Sequence, residues 1–431
     1  MPKTKEKKQK VKKTPRQRGR IALKVLAWIV GIIAVIALAL AILNTVSAKA
    51  ERAFVKNSVE AVAYENQLVP TLADDGYYTF VTDEDFKVLQ LTDVHLGAGV
   101  LSTKKDTMAM NAVAAMVTEE KPDLVIVTGD VSYPIPYSAG SFNNKNPALV
   151  FADLMEKLGV YWCLGFGNHD TEAYSYFSRS QLAKLYNDKE KYPHCLFQSG
   201  PENIDGVGNY VINVKNTAGK LTQSLFILDS NSYADNDYFG IQWKYDCVHE
   251  NQVKWYEETA KALQEENGGE VKSLAFFHIP PAEMKEAFAE YKENGEQDTA
   301  DVQYLYGKIA EGNQLICSSK YNYGLFDAFQ ANGTQGAFFG HDHLNNMSLL
   351  YKGTKLTYGY SIDYLAYFGI AKFGLQRGCT VIYVHPDGSF DNHGENYYQD
   401  KYVSINEKET VDLEHDMADV NGGAVNPLAA E

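Results

Sequence analysis

Seven short apolar runs, each followed by polar residues, divide the middle of the chain. They span residues 86–95, 122–130, 160–170, 224–231, 272–280, 335–343 and 379–388. Each run is rich in β-branched or aromatic residues, a composition typical of strands that are buried on both faces. Stretches with helical patterning lie between several of them, at 107–121, 147–158 and 251–266. This alternation predicts an α/β fold, with sheet packed on sheet and helices outside.

A much longer apolar segment precedes these runs, at residues 25–46, and it contains no charged residue. As a helix it would span about 33 Å, close to the roughly 30 Å hydrocarbon core of a bilayer. Residues 1–24 carry eleven Lys and Arg against one Glu. The positive-inside rule therefore predicts a single-pass membrane protein, with a basic cytoplasmic arm and an extracytoplasmic body.

A cleaved signal peptide is the alternative to a retained anchor. Ala48-Lys49-Ala50 resembles a small-x-small cleavage site, and cleavage there would give a secreted protein. The apolar segment is longer than the usual signal-peptide core of about 7–15 residues, which favours the anchor.

The predicted organisation has five parts. These are a basic arm at 1–24, a transmembrane helix at 25–46, a stalk at 47–84, one domain at 85–395, and an acidic tail at 396–431 that we expect to be disordered.

The charge and the cysteines exclude some classes of function. The net charge is −15, and outside the basic arm the chain has 29 basic against 54 acidic residues. So acidic a body argues against binding to nucleic acid. The five cysteines form no CxxC pair, so they predict neither a thiolate zinc site nor a disulfide framework. We expect Cys163 and Cys379 to be buried free thiols, and a single disulfide elsewhere remains open.

Five of the apolar runs end in residue types that bind metal ions. Side chains two positions apart in an extended segment point to the same side, so Asp93 and His95, or His341 and His343, can reach one ion together. Glycine before Asp130, before Asn168 and before His341 would let the backbone turn sharply. The candidate residues are Asp93, His95, Asp130, Asn168, His169, Asp170, His278, His341 and His343.

This set of imidazoles, carboxylates and one amide suits Mn, Fe, Zn or a similar ion. The ligands are too many for one ion. Two ions about 3.5–4 Å apart, bridged by one carboxylate, would use them all and generate a nucleophilic hydroxide. We expect the remaining histidines, at 194, 249, 385, 393 and 415, to be structural.

The order D-x-H, G-D, G-N-H-D, H, G-H-x-H resembles the calcineurin-like metallophosphoesterase superfamily, which includes purple acid phosphatases. The resemblance spans about residues 86–387. The residues around these motifs (FFHIP, GHDHLNN and YGYS) are similar to the sequences of purple-acid-phosphatase-related proteins of fungi, plants and bacteria. The resemblance implies a four-layer α/β/β/α sandwich.

The resemblance also implies a role for each residue. His169 would be the general acid or would stabilise charge on the phosphoryl group, and Asp170 would hold its other ring nitrogen. The metal ligands would be Asp93, His95 and His343 for the first ion, Asn168, His278 and His341 for the second, and Asp130 for both.

One departure from purple acid phosphatases concerns Tyr133. Gly129-Asp130-Val131-Ser132-Tyr133 matches the G-D-x-x-Y in which the family's tyrosine binds ferric iron, but the first motif here is D-x-H rather than D-x-G. We expect His95 to take the place of that ligand and Tyr133 to form a pocket wall.

The predicted function is hydrolysis of small-molecule phosphoesters by a metal-bound hydroxide at the extracytoplasmic face. A phosphodiesterase or pyrophosphatase acting on nucleotide or lipid phosphates is the alternative, and an inactive metal-dependent binding module is a further one. The Tyr-, Asn- and Ser-rich segments 131–147 and 231–250 are expected to line the pocket.

Overall fold

The computed structural model describes residues 13–367 and 377–410. The helices are α1 (Pro15–Ser58), α2 (Thr103–Glu120), α3 (Pro136–Ala139), α4 (Lys145–Leu158), α5 (Arg179–Tyr186), α6 (Glu250–Asn267), α7 (Ala282–Glu293) and α8 (Leu325–Ala331). The strands are β1 (Thr71–Leu72), β2 (Tyr78–Val81), β3 (Phe86–Leu91), β4 (Leu124–Thr128), β5 (Trp162–Gly165), β6 (Tyr210–Lys215), β7 (Leu221–Ile227), β8 (Lys272–Phe276), β9 (Val302–Tyr306), β10 (Thr334–Phe339), β11 (Ser348–Tyr351), β12 (Thr354–Tyr358), β13 (Gly378–Val384) and β14 (Phe390–Asn396).

The strands form two sheets. The smaller has the order β14-β13-β3-β4-β5, and the larger has the order β1-β2-β6-β7-β8-β10-β12-β11-β9. β3, β4 and β5 are parallel in the first sheet, and β7, β8 and β10 are parallel in the second. All seven predicted strands and the three predicted helices are present.

The alternation of side chains between the two faces of β8 shows how the layers pack. In and just after β8, Leu274 and Phe276 belong to a core that also contains residues of the smaller sheet, of α2 and of α4. Ala275 and Phe277 belong to a second core, formed with α6, α7 and α8. Residues at i and i+2 of a strand share a face, so the larger sheet packs on the smaller sheet with one face and on helices with the other. The predicted four-layer α/β/β/α architecture is confirmed.

The parallel strands of both sheets end at a common edge. The segments after β3, β4 and β5 leave the smaller sheet there, and those after β8 and β10 leave the larger one. At this edge the His278 ring nitrogen Nδ1 lies 2.8 Å from the Thr128 carbonyl, which links the end of β8 to the end of β4. All five candidate motifs follow these strand ends, so the fold brings them together.

Helix α1 is longer than the predicted span, because it continues from Pro15 to Ser58. Its most apolar window has a mean hydropathy of 3.0 and is not buried against the protein, so the helix is long and apolar enough to cross a membrane. Its last turns dock on the domain through Ala48, Glu51 and Val55, which are buried. Burial, together with the charge of Asp106, raises the pKa of Glu51 to about 9, so this docked carboxyl is protonated at neutral pH.

The predicted boundaries of the domain differ from the structure at both ends. The stalk at 47–84 contains the end of α1 as well as β1 and β2, and β2 pairs with β6 inside the larger sheet. Residues 396–410 are ordered rather than disordered, because Tyr397, Tyr398 and Tyr402 are buried and Glu409 pairs with Arg377. Residues 411–431 of the predicted tail lie outside the described part of the chain.

Candidate metal centre

The residues that follow the strand ends adopt a backbone conformation that side chains disfavour. Asp93, His95, Asp130 and His341 have φ values of 50°, 52°, 53° and 80°. For residues other than glycine this left-handed region is sparsely populated and costs about 1–3 kcal/mol each. Such strain persists where the surrounding fold holds it, and it is typical of functional sites.

The glycines before the candidate ligands do two different things. Gly129 has a φ of 88° and makes the predicted sharp turn. Gly167 and Gly340 are not among the glycines with positive φ, so the conformational freedom of glycine is not what these two positions require. A Cβ at Gly167 would overlap the Asp130 carboxylate, and one at Gly340 would overlap the Thr92 side chain. These two glycines therefore allow close approach between neighbouring loops.

One group of four buried side chains is arranged to hold a metal ion. Asp93, His95, Asp130 and His343 each offer one ligand atom, and these atoms all lie within 4.8 Å of one another. His95 Nε2 lies 3.4 Å from Asp130 Oδ2, and His343 Nε2 lies 3.6 Å from Asp93 Oδ1. These are the residues that the resemblance assigns to the first ion, together with the shared Asp130.

A second group meets the same carboxylate oxygen from the other direction. His278 Nε2 lies 3.0 Å from Asp130 Oδ2 and 3.1 Å from Asn168 Oδ1. His341 Nδ1 lies 3.3 Å from His278 Nε2. One oxygen of Asp130 is thus close to both groups, the position that a bridging ligand occupies.

The donor atoms fit divalent metal ions. Asp93 Oδ1 is buried and accepts no hydrogen bond, and the ring nitrogens of His278 and His341 face each other at 3.3 Å. Burying such atoms without a partner is costly, and a cation removes the cost. The nitrogen and oxygen donors suit transition metals, and two groups sharing one carboxylate fit two ions.

Burial and nearby charges set the protonation states of the candidate ligands. Burial raises the pKa of Asp130, but the charges of His278 and His169 more than offset it, so the pKa lies well below its usual range. Burial and the charge of His278 hold the pKa of His341 well below its usual range. Burial and the charge of His95 lower the pKa of His343 to about 3. His341 and His343 are therefore neutral at neutral pH, which leaves ring nitrogens available to metal ions. Burial lowers the pKa of His95 and of His278, but the charges of Asp363 and Asp130 outweigh it and raise these pKa values to about 10 and about 9. These two imidazoles must therefore lose a proton when a metal ion binds.

Two groups behind the ligands orient the imidazoles. Asp363 Oδ1 lies 3.1 Å from His95 Nδ1, and Asp363 Oδ2 lies 3.6 Å from His343 Nδ1. The Thr128 carbonyl accepts a hydrogen bond from His278 Nδ1. A partner on the far nitrogen fixes the ring and the tautomer of a ligand histidine. The sequence analysis missed Asp363, whose only local signal is its place soon after β12, in the segment that starts with YGYS.

Replacing Asp363 by asparagine should weaken metal binding by about 10- to 100-fold, because His95 loses the carboxylate 3.1 Å from its far nitrogen and His343 loses a nearby negative charge. Metal titration by calorimetry measures this directly. Asp205→Asn is the matched control, since Asp205 pairs with His249 at 2.8 Å away from the centre. Equal affinity in the Asp363 variant and the control would contradict the role given to Asp363.

His169 lies beside the metal ligands rather than among them. Its backbone N–H donates to Asp130 Oδ1 at 2.8 Å, and its ring centroid is 5.6 Å from that of His95. The side chain is 21% exposed, so solvent and substrate can reach it. This is the setting expected for a group that acts on a bound substrate.

The predicted partner of His169 was wrong. Glu172 Oε1, not Asp170, lies 2.6 Å from His169 Nδ1. The segment His169–Thr171 is a 3₁₀ turn, and residues three apart lie above one another in that geometry. Asp170 points the other way, and its carboxylate accepts hydrogen bonds from the backbone N–H groups of residues 130, 132 and 167. Asp170 therefore joins the loop after β4 to the loop after β5.

Three tyrosines form walls around the centre. The Tyr133 ring lies 4.7 Å from the ring of His95 and 4.8 Å from that of His169. Burial, helped by Tyr137, raises the pKa of Tyr133, which keeps the phenol protonated. Asn168 Nδ2 donates to the Tyr233 hydroxyl at 3.0 Å, and the Tyr245 ring lies 4.2 Å from that of His341. All three tyrosines belong to the segments expected to line the pocket.

The remaining histidines lie elsewhere, each paired with a carboxylate. His194 contacts Glu156, His249 contacts Asp205 and Asp246, His385 contacts Asp85 and Asp391, and His393 contacts Glu395. His415 lies outside the described residues. Cys163 and Cys379 are buried free thiols, as expected.

Comparison with known proteins is consistent with this geometry. The model of a family described as calcineurin-like phosphoesterase matches residues 86–345. The chain is 30% identical to a protein of Arabidopsis thaliana named probable inactive purple acid phosphatase 14, over 70% of this chain and 76% of that protein. It is 29% identical to a protein of Saccharomyces cerevisiae named phosphatase DCR2, over 62% of this chain and 46% of that protein. A solved dimetal phosphatase from Danio rerio matches 74% of this chain and 98% of its own, with 12% identity and a TM-score of 0.44.

Proposed function

The chain belongs to the calcineurin-like phosphoesterase family, and we propose that its two-metal centre hydrolyses phosphoesters at the extracytoplasmic face of a membrane. The family makes it a phosphoesterase hydrolase. The observation that carries the proposal is the position of Asp130 Oδ2, which lies 3.4 Å from His95 Nε2 and 3.0 Å from His278 Nε2. One carboxylate between two ligand groups is the arrangement that a two-metal hydrolase needs.

The two ligand groups have distinct tasks in this proposal. Asp93, His95 and His343 would hold the first ion, Asn168, His278 and His341 would hold the second, and Asp130 would be shared by both. Bound ions supply positive charge for the phosphoryl oxygens and make a water molecule more acidic. The strained loops keep the ligands in place before substrate arrives, so little reorganisation is needed during the reaction.

His169 is the proposed proton donor. Hydrolysis forms a bond between a water oxygen and phosphorus, breaks the bond from phosphorus to the leaving oxygen, and transfers a proton to that oxygen. Glu172 accepts from His169 Nδ1, which turns Nε2 toward the substrate side of the ring. Tyr133 packs against the same ring and limits its motion.

An inactive metal-binding module is the second candidate, because three relatives from Arabidopsis thaliana carry the word inactive in their names. One observation favours an enzyme. His169 lies outside both ligand groups and remains partly exposed, with a carboxylate on its far nitrogen. A module that only binds metal has no need for such a histidine.

Metal removal tests the function. Full-length protein in detergent should contain about two metal ions per chain and hydrolyse p-nitrophenyl phosphate, bis-p-nitrophenyl phosphate or both. A chelator should lower turnover by about 100-fold or more, and Mn²⁺ should restore it. The preferred ester distinguishes a monoesterase from a diesterase. Two bound metals without turnover of either ester would favour the binding module, and absence of bound metal would refute the centre.

We propose that α1 is a retained membrane anchor. The helix is continuous through Ala48-Lys49-Ala50, and Ala48 is buried against the domain, which supports a retained segment over a cleaved one. The anchored protein should stay in the membrane fraction after alkaline extraction, with a C-terminal tag exposed to protease outside the cell. Release of a shortened chain into the medium would overturn the anchor.

A further inference from the structure

Asn44, a polar residue near the end of the apolar segment, joins this part of α1 to the catalytic domain. Asn44 Nδ2 donates to the carbonyl of Gly140 at 2.7 Å, and Asn44 Oδ1 accepts from the backbone N–H of Val100 at 2.9 Å. Asn44 lies inside the uncharged segment 25–46. The two loops that it contacts therefore lie level with the end of the apolar segment.

Those two loops start from the metal centre. Val100 follows the ligand His95 by five residues, and Gly140 follows Asp130 by ten. The segment that leads to Gly140 contains Tyr133, whose ring packs on His95. The contact with Asn44 is thus made at the sheet edge where the centre lies.

The direction of α1 follows from its later contacts. Arg52 pairs with Asp153 in the middle of α4, and the N–H of Val62, just beyond the helix, donates to the carbonyl of Leu158 at the end of α4. α4 begins after the carboxyl end of β4 and ends just before the amino end of β5. Helix α1 therefore crosses the domain from the edge that carries the metal centre to the opposite edge. Because the helix is continuous, its apolar part projects beyond the edge that carries the centre.

The loops at this edge expose apolar side chains toward solvent. Leu101 is 60% exposed, Tyr137 is 81% exposed and Phe142 is 41% exposed. We call these three residues the membrane-side rim. Aromatic and apolar side chains next to the end of a transmembrane helix are typical of contact with the bilayer interface.

We propose that the substrate is a phosphoester in the headgroup of a membrane lipid, presented by the same bilayer that holds α1. This inference rests on the proposed function and names its substrate class. The rim places the opening of the metal centre against the bilayer surface, at the depth where lipid phosphates lie. Water adds to phosphorus, the leaving oxygen departs with a proton, and the products separate into membrane and solvent.

A second segment, residues 233–245, borders the other side of the centre and exposes several apolar side chains. Tyr233 and Tyr245 form a bridge at its base, where they contact Asn168 and His341. Its tip exposes Phe239 and Trp243 among other large apolar residues. A lipid whose phosphate reaches the metal centre would contact apolar side chains of the membrane-side rim on one side and of this segment on the other.

Full-length protein reconstituted in phosphatidylcholine vesicles tests the proposal. The vesicles contain a minor share of phosphatidic acid as a monoester probe or phosphatidylglycerol as a diester probe, with Mn²⁺ present. We expect turnover of at least one lipid probe. Serine at all three rim positions (L101S/Y137S/F142S) should lower lipid turnover relative to turnover of a soluble p-nitrophenyl ester by about tenfold or more, because apolar contact with the interface is lost.

The matched control changes exposed apolar residues at the opposite edge. Gln67 contacts Gly159 just before β5, and Tyr402 contacts Glu120 at the end of α2, so their neighbours lie at the amino ends of the strands. Val81 is also exposed, and it pairs with Lys215 opposite Leu221, the first residue of β7. The control V69S/V81S/V403S should keep the ratio of lipid to soluble turnover.

Hydrolysis of soluble esters without turnover of either lipid would overturn the lipid proposal and leave the proposed function intact. An unchanged ratio in the rim variant would also overturn it. Absence of activity on every ester, soluble or lipid, would instead refute the proposed function.

Discussion

Asp130→Asn should abolish measurable phosphoester hydrolysis and remove bound metal together. One oxygen of Asp130 lies within 3.4 Å of ring nitrogens from both ligand groups, so the substitution weakens both ion sites at once. Loss of several kcal/mol of charge stabilisation corresponds to about a thousandfold or more in turnover. Metal analysis and steady-state kinetics on the same preparation measure the two losses.

The control for this variant must separate metal loss from unfolding. Asp130 Oδ1 also accepts the backbone N–H of His169, which an amide oxygen can still do. The metal-free variant should melt below the metal-free parent, because His278 loses its charged partner, but it should still unfold in one cooperative transition. Asp205→Asn should behave as the parent in every measurement. Full activity with only one metal ion bound would show that Asp130 does not bridge two ions.

The position of the centre was predictable because parallel strands share a carboxyl edge, so motifs that follow several such strands lie close together. Alternation of side chains along a strand does not explain how the ligands are grouped, because Asp93 and His95 lie beyond the end of β3 and have φ values of 50° and 52°. Alternation also predicts that His341 and His343 reach one ion together, which is wrong: His343 lies near Asp93, and His341 lies near His278.

The residues that support the centre were less predictable, because they depend on turns and on distant contacts. Asp363 reaches His95 from a segment more than 250 residues away, and it stands beside no other ligand type in the sequence. The choice between Asp170 and Glu172 depends on a 3₁₀ turn of three residues, which the motif does not reveal.

The ends of the domain were misjudged for a related reason. An acidic composition predicts disorder at 396–410, but a few tyrosines there reach buried positions, and Tyr402 donates to Glu120 at 2.7 Å. Similarly, the hydropathy of α1 predicts a membrane span but not its direction across the domain. That direction follows from contacts such as the one between Asn44 and Gly140, which join residues 96 positions apart.

His169→Ala should lower turnover by about 10²- to 10⁴-fold on esters with alkyl leaving groups, as expected when a general acid is lost. Esters of p-nitrophenol should be affected less, because that leaving group departs without a proton. Metal content should not change, since His169 lies outside both ligand groups. His194→Ala is the matched control, because His194 also pairs with a glutamate, at 2.8 Å, and is similarly exposed.

The dependence on the leaving group decides between roles for His169. An equal loss on alkyl and p-nitrophenyl esters would show that His169 stabilises charge on the phosphoryl group rather than donating a proton. Glu172→Gln should reproduce the alkyl-specific loss at smaller size, because it loosens the His169 ring without removing the acid. Asp170→Asn should act differently, through weaker metal binding, since Asp170 holds the backbone of two ligand loops. An alkyl-specific loss in Asp170→Asn with full metal content would restore the partner predicted from the sequence.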